Sequence, residues 1–150
     1  MPNLDVHFQV GAVVGGGNAL YMSYGQPTWH VVAETAGGLL GGIAGGLLPD
    51  HIDVPSDPWH RAEAHSVAIT GMVGLFVSEH LADWQALLRS HADHIAMMRT
   101  QSPGPLQEFL LWLGECACRL LAGAIAGVLA GYASHLLLDT FTPRSLPFFC

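Results

Sequence analysis

GGLLGGIAGGLLPD, residues 37–50, places Gly38, Gly42 and Gly46 at intervals of four, and the next step of four reaches Asp50. Residues four apart lie close to one face of an α-helix. Small residues on one face let two helix backbones approach closely, an arrangement that suits helices in lipid. The stretch therefore predicts a helix that packs tightly along its glycine face and ends in a carboxylate.

A second glycine stripe lies near the end of the chain. Gly123, Gly127 and Gly131 also recur every four residues, and the next two steps reach His135 and Asp139. We expect the two stripes to face each other, which would bring the polar residues at the two stripe ends within ligand distance of one another. The competing interpretation is chance alignment, because glycine-rich and alanine-rich helices are common in apolar proteins.

The fold class that the composition predicts is all-α, in one domain over residues 1–150. Hydrophobic residues make up 51% of the chain and charged residues 11%, against about 25% charged residues in an ordinary soluble domain. Pro49 is expected to end the second helix, and residues 50–59 are expected to form a loop. The predicted architecture is a compact bundle of about five helices, over 5–24, 28–48, 58–81, 82–100 and 106–138.

Long uncharged runs raise the question of a membrane. Of these runs, only 120–138 approaches the roughly 20 residues that a spanning helix needs, and it is followed by Asp139. Membrane embedding is the favoured interpretation, and a soluble helical domain with a glycine-rich core is the alternative. A nucleic-acid partner is not expected, because the net charge is −7 and the five basic residues are scattered. Oligomeric state stays open.

Carboxylates and imidazoles are concentrated in three segments, which read LLPDHID (47–53), HRAEAHS (60–66) and SHLLLD (134–139). Mixed His and Asp ligation is typical of hydrolytic Zn²⁺, Mn²⁺ or Fe²⁺ sites. His135 and Asp139 are one helical turn apart, so both side chains aim at one point. Taken alone, such a pair is weak evidence for a metal site, since a histidine at a helix end is often only a surface or capping group.

Other histidines and one arginine leave alternatives open. His60 and His65 are five residues apart, a spacing that matches one helix face poorly. One of them therefore binds the metal from the loop side or acts as a general acid or base. Arg61 binds a phosphate or pairs with a neighbouring carboxylate. Five further histidines are excluded from the predicted site: His30, His51, His80, His91 and His94.

The segments together resemble a known family. With an early histidine, here His7, and the segment GYASHLLLDTFTPRSLPF (131–148), the chain resembles the YdjM-like family of inner-membrane metal-dependent hydrolases. The resemblance covers most of the chain except residues 82–118. The chain departs from the family pattern at residues 62–64, before His65, and at Ser145.

The resemblance implies a helical protein of the bacterial inner (cytoplasmic) membrane that holds a divalent metal ion, zinc first, with manganese and iron as alternatives. It implies that Asp53 and His60 are further metal ligands or acid–base groups. In the hydrolase hypothesis, His60 or Asp53 handles protons and Arg61 steadies an anionic substrate. The residues that it implies as metal ligands are Asp50, His65, His135 and Asp139, with His7 as a further ligand or acid–base group.

A looser analogy, to zinc phospholipase C-like helical enzymes, implies the substrate class. It favours hydrolysis of a small-molecule or lipid phosphoester by a metal-activated water, with membrane lipid as the expected surrounding partner. The alternative function is non-catalytic: a structural or interaction protein of the membrane, in which a metal or a polar helix junction only holds helices together. A channel or transporter is the third hypothesis.

Overall fold

Four α-helices account for nearly all of the chain that the structure describes. The structure is a computed structural model, and it describes residues 4–52, 67–102 and 104–140. No β-strand occurs within these ranges, so the predicted all-α class is confirmed for them. The helices, in chain order, are α1 (Leu4–Met22), α2 (Thr28–Ile52), α3 (Val67–Thr100) and α4 (Pro105–Thr140).

Glycine and proline mark the helix boundaries. Gly25 has a φ of 87°, in the left-handed region that glycine adopts without strain, and it makes the turn between α1 and α2. The carbonyl of Pro27 then accepts the first backbone hydrogen bond of α2. Pro105 begins α4, where a missing N–H costs nothing, and the carbonyl of Gly104 accepts a bond from the N–H of Glu108.

The helix count differs from the prediction of about five. The helices expected over 58–81 and 82–100 are one continuous helix, α3, within the described residues. The sequence around Leu81 and Ala82 contains neither glycine nor proline. Nothing in the local sequence therefore interrupts the helix at this point, and the backbone continues. The expected start of that helix, before Val67, lies outside the described residues.

The prediction that Pro49 ends the second helix is wrong. α2 continues through Pro49 to Ile52, so Asp50 is helical and does not begin a loop. Proline removes one backbone hydrogen bond and crowds the carbonyl four residues earlier, here that of Gly45. Because this happens in the last turns of the helix and the proline ring is fully buried, packing around the ring compensates.

Glycines let α1 and α2 pack in backbone contact, running antiparallel. A β-carbon at Gly15 would lie 2.5 Å from the carbonyl oxygen of Gly38 and 2.5 Å from Cα of Gly42. At Gly11 a β-carbon would lie 2.5 Å from the carbonyl oxygen of Gly42 and 3.2 Å from Cα of Gly46. No side chain larger than hydrogen fits at these α1 positions without moving a helix.

The two predicted glycine stripes do face each other, on α2 and α4, which run parallel. A β-carbon at Gly127 would collide with the backbone of Gly38 and Gly42, and one at Gly131 would collide with the carbonyl of Gly42. α2 carries a further glycine stripe that the sequence analysis missed, and it also packs on α4. Its members are Gly37, Gly41 and Gly45, which lie against the carbonyls of Leu120, Ala124 and Val128.

Two helices are long and apolar enough to cross a membrane: α2 over Thr28–His51 and α4 over Pro105–Asp139. At 1.5 Å per residue α4 is about 54 Å long, more than the roughly 30 Å of a hydrocarbon core. Large apolar side chains face outward on three helices, an arrangement that lipid would accommodate. Examples are Val13, Leu20 and Tyr21 on α1, Val32 and Leu40 on α2, and Leu121 and Leu137 on α4.

Candidate metal centre

Three helices meet where the candidate site lies. Because α1 runs antiparallel to α2 and α4, its first turns lie beside the last turns of the other two helices. His7 is near the start of α1, Asp50 is in the last turn of α2, and His135 and Asp139 are near the end of α4. We call these four residues the His/Asp cluster. The two glycine stripes predicted the meeting of Asp50, His135 and Asp139, and the family resemblance supplied His7.

The side chains of the His/Asp cluster approach one another at 3.5–3.6 Å. Nε2 of His7 is 3.5 Å from Oδ1 of Asp139. Nε2 of His135 is 3.6 Å from Oδ2 of Asp139 and 3.6 Å from Oδ1 of Asp50. Ligand atoms of His7, His135 and Asp139 all lie within 4.8 Å of one another. Two imidazole nitrogens and carboxylate oxygens thus surround one point.

These distances fit a metal ion. Nitrogen–oxygen pairs at 3.5–3.6 Å are longer than the roughly 2.7–3.2 Å of a well-formed hydrogen bond. Zinc binds imidazole nitrogen and carboxylate oxygen at about 2.0–2.2 Å in a tetrahedral arrangement, so two of its ligand atoms are about 3.4 Å apart. The donor set, two imidazoles and two carboxylates, is one that zinc, manganese and iron accept.

A backbone carbonyl fixes the orientation of His135. Its Nδ1 lies 2.6 Å from the carbonyl oxygen of Gly46. Since a carbonyl can only accept, Nδ1 carries the hydrogen, and the lone pair of the neutral ring is on Nε2, toward Asp50 and Asp139. Such a bond to the second ring nitrogen is the usual support for a metal-binding histidine. Gly46 is the last glycine of the α2 stripe, so packing and ligand orientation depend on the same residue.

Burial and helix direction both favour a cation at this point. His7, His135 and Asp139 are 3%, 0% and 2% exposed, whereas the side chain of Asp50 is 29% exposed. The rings of His7 and His135 are stacked, with centroids 3.9 Å apart. The C-terminal ends of α2 and α4 carry partial negative charge, which adds to that of the two carboxylates. Asp50 is the member on the accessible side of the cluster.

Several residues of the predicted site cannot be placed beside the cluster. Asp53, His60, Arg61 and His65 lie outside the described residues. Their roles as ligand, acid–base groups and anion-binding residue remain predictions from the sequence. The structure brings together the other four predicted residues, those of the His/Asp cluster.

Five histidines were excluded from the predicted site on sequence grounds. In the structure, one of them is buried and the other four are exposed. His51, His80, His91 and His94 are exposed. His30 is buried, and its Nε2 lies 3.3 Å from a carboxylate oxygen of Glu115. This contact belongs to a buried charged region that spacing along the chain did not reveal. One signal was available: a single glutamate, Glu34, interrupts a long uncharged stretch at 6–49.

Comparison with known proteins gives a family but no individual relative. A family model described as YdjM inner membrane protein matches residues 1–150. The match includes residues 82–118, which the sequence motifs left uncovered. Neither the comparison with curated proteins nor the comparison with solved structures gives a significant match.

Proposed function

Because this chain belongs to the YdjM family of inner membrane proteins, we propose that it is a membrane-embedded, metal-dependent hydrolase that acts on a phosphoester or lipid-like substrate. The observation that carries the proposal is the His/Asp cluster, in which ligand atoms of His7, His135 and Asp139 lie within 4.8 Å of one another and Asp50 of a third helix lies 3.6 Å from His135. Zinc is the first choice of metal, with manganese and iron as alternatives.

Each residue of the cluster has a distinct task in this proposal. When bound, a divalent ion supplies Lewis acidity and lowers the pKa of water. His7 and His135 supply neutral nitrogen ligands, and the Gly46 carbonyl keeps Nε2 of His135 directed to the site. Asp139 lies close to both rings and offsets positive charge. Asp50, the more exposed carboxylate, is on the side from which water and substrate approach.

The chemical step needs proton transfer and a group that holds the substrate. A water oxygen attacks phosphorus, the ester P–O bond breaks, and the leaving alcohol takes up a proton. His60 or Asp53 removes the proton of the attacking water and returns it to the leaving group. Arg61 binds the non-bridging phosphoryl oxygens. These three residues are assigned from the sequence and from the family resemblance.

Exposed apolar side chains at the same end of the bundle as the cluster are consistent with a lipid-like substrate. Phe8 follows His7 near the start of α1, and Leu48 lies two residues before Asp50 near the end of α2. Phe8 and Leu48 are exposed by 46% and 42%. A phosphoester with an acyl chain would place its head group at the cluster and its chain along such side chains.

A variant of His60 tests the hydrolytic part of the proposal. His60→Ala should keep its zinc and lose hydrolysis of a phosphodiester by about 100-fold or more, because it removes the acid–base group and leaves the cluster intact. Hydrolysis of a chromogenic phosphodiester by protein in detergent, loaded with Zn²⁺, Mn²⁺ or Fe²⁺, gives the rate. His91→Ala, which removes an exposed histidine, serves as the control with an unchanged rate.

The second candidate function is a structural metal staple. The deep burial of His7 and His135 and the stacking of their rings favour it, because the cluster joins α1, α2 and α4 whether or not water can enter. A site with every coordination position filled by protein is typical of structural zinc. The structural role would be established if the wild-type protein binds zinc, unfolds when the zinc is removed and hydrolyses no phosphodiester with any of the three metals. The enzymatic function would then be excluded for these substrates.

A further inference from the structure

A second group of buried charges lies far from the His/Asp cluster. Glu34 of α2 is fully buried, and it accepts hydrogen bonds from two arginines. Nε of Arg89, on α3, lies 3.1 Å from both carboxylate oxygens, and its Nη2 lies 2.5 Å from Oε2. Nη1 of Arg119, on α4, lies 3.2 Å from Oε1. We call Glu34, Arg89 and Arg119 the Glu34 triad, which joins three helices through one carboxylate.

Further contacts extend the triad along α3. Arg119 also donates to the exposed carboxylate of Asp93 on α3. Arg99, near the end of α3, is 3.3 Å from Oε2 of Glu115, whose other oxygen is 3.3 Å from His30. Of these four arginine contacts between helices, α3 takes part in three: Arg89–Glu34, Arg119–Asp93 and Arg99–Glu115.

The triad is too distant to belong to the candidate metal centre. Arg119 and Asp139 lie on the same helix, and their separation corresponds to about 30 Å along its axis. Charged groups buried at such a depth cost free energy unless each is paired. Glu34 is paired only as long as α3 and α4 keep their present positions.

Over residues 80–100, the part of α3 whose side chains the structure describes, apolar packing alone does little to fix one axial position. Among residues 80–100, the buried side chains are those of Gln85 and Ala92. The amide of Gln85 donates to the carbonyl of Ala122 at 3.0 Å. Ile95 is partly buried and lies against α4 at Gly114, a position that has no side chain of its own. Small and sparse apolar contacts of this kind would be nearly as good after a shift of one helical turn.

Buried ion pairs do distinguish one axial position from another. Moving α3 by one turn, about 5.4 Å, would take Arg89 away from Glu34 and leave a buried carboxylate short of a partner. Fixing register is the best attested role of polar groups in helix interfaces. We propose that the Glu34 triad sets the axial register of α3 against α2 and α4, and thereby holds the N-terminal end of α3 level with the His/Asp cluster.

The register has a direct consequence for the site. α3 and α4 are antiparallel, with Gln85 beside Ala122. The stretch from Gln85 back to Val67 has as many residues as the stretch from Ala122 forward to Thr140, about 27 Å in each helix. Val67 is therefore level with the end of α4, one residue beyond Asp139. The triad acts as a set of positioning residues for whatever the chain supplies just before Val67.

The link from register to chemistry rests on the proposed function. His60 and His65 precede Val67 closely in the sequence, and they are the acid–base group and the ligand assigned from the resemblance. A shift of α3 by one turn would displace its N-terminal end by about 5.4 Å. That displacement exceeds the tolerance of a metal–ligand bond, so we expect lower metal affinity when the triad is removed.

Disulfide cross-linking measures the register directly. In a background with all cysteines replaced by serine, Ile95→Cys and Gly114→Cys form the native-register pair, since a β-carbon at Gly114 would lie 3.7 Å from Ile95 Cδ1. His91→Cys and Met98→Cys, each combined with Gly114→Cys, report shifts of about one turn. With the triad present, we expect cross-linking at the native pair and little at the shifted pairs.

The triad is removed by the triple substitution Glu34→Met, Arg89→Leu and Arg119→Met, which keeps the volume and removes all three charges. Apolar replacement of a whole buried ion group commonly preserves folding. We expect cross-linking of the native pair to fall by about fivefold or more and the shifted pairs to rise. His94→Leu, which removes an exposed polar group of α3, is the control with an unchanged pattern. Native-pair cross-linking at the wild-type level in the triple variant would overturn the proposal.

A milder variant and a metal measurement complete the test. If the triple variant does not fold, Glu34→Gln is measured in the same way, where a rise of the shifted pairs supports the proposal and an unchanged pattern overturns it. Zinc affinity of the triple variant should fall by about tenfold. An unchanged affinity in a variant with shifted register would overturn the link to the site. If wild-type protein binds no zinc, the proposed function fails, while the cross-linking still decides the register.

Discussion

Replacing Asp139 with alanine is expected to lower the zinc affinity of the purified protein by at least about 100-fold. The carboxylate of Asp139 lies 3.5 Å from Nε2 of His7 and 3.6 Å from Nε2 of His135, so it is the central member of the cluster. Its removal takes away the buried carboxylate ligand and leaves two buried imidazoles and the more exposed Asp50 to hold the ion. Mass-spectrometric metal analysis after dialysis, together with a chelator competition, gives the change in affinity.

The control for this substitution is Asp83→Ala. Asp83 is an exposed aspartate of α3, so the change removes the same chemical group from the surface and should leave the metal content as it is. Asp139→Ala protein with the metal content and affinity of the wild type would show that the cluster is not the metal site. Equal losses in both variants would indicate a general effect of charge on the protein.

Gly42→Ala is expected to lower the free energy of unfolding by about 3 kcal/mol, at the upper end of the cost of overpacking. A β-carbon at Gly42 would lie 2.8 Å from Cα of Gly15 and closer still to the carbonyl oxygen of Gly11. The neighbouring atoms are backbone, so α1 must move as a whole, and it carries His7. Denaturant unfolding in detergent, followed by circular dichroism, measures the loss, and zinc affinity should fall with it.

Gly17→Ala is the matched control, because it adds the same methyl group to α1 where nothing lies within 4 Å. Alanine in place of a helical glycine should stabilise the protein by about 0.5–1 kcal/mol. The expected changes in the free energy of unfolding therefore have opposite signs in the two variants. If Gly42→Ala were as stable as Gly17→Ala, the close approach of α1 to α2 would be wrong.

That the site residues Asp50, His135 and Asp139 meet could be predicted from the sequence, because their meeting depends on residue spacing within each helix. Glycines every four residues mark the face on which two helices can touch, and the same spacing continues into Asp50, His135 and Asp139. A parallel pair of helices in backbone contact then has little freedom, and the ends of the stripes must meet. The early histidine, His7, came from the family resemblance, since its own surroundings carry no comparable pattern.

Two features of the fold could not be predicted from residue spacing. Pro49 predicts a helix end by local rules, but burial of its ring outweighs one lost hydrogen bond. The Glu34 triad depends on contacts between three helices, which no spacing along the chain encodes. Arg89 of α3 and Arg119 of α4 look scattered in sequence, and only the packing of α2, α3 and α4 in the folded chain brings both to Glu34.

The central claim is that His7, Asp50, His135 and Asp139 share one divalent cation. X-ray absorption spectroscopy on the zinc-loaded protein tests it most directly, because imidazole ligands give a characteristic scattering pattern. We predict at least two imidazole nitrogens at about 2.0–2.1 Å, or three if His65 also binds, with carboxylate oxygen in the remaining shell, and loss of one imidazole in His7→Ala. A shell that contains sulfur, or an imidazole signal that is unchanged in both His7→Ala and His135→Ala, would contradict the account.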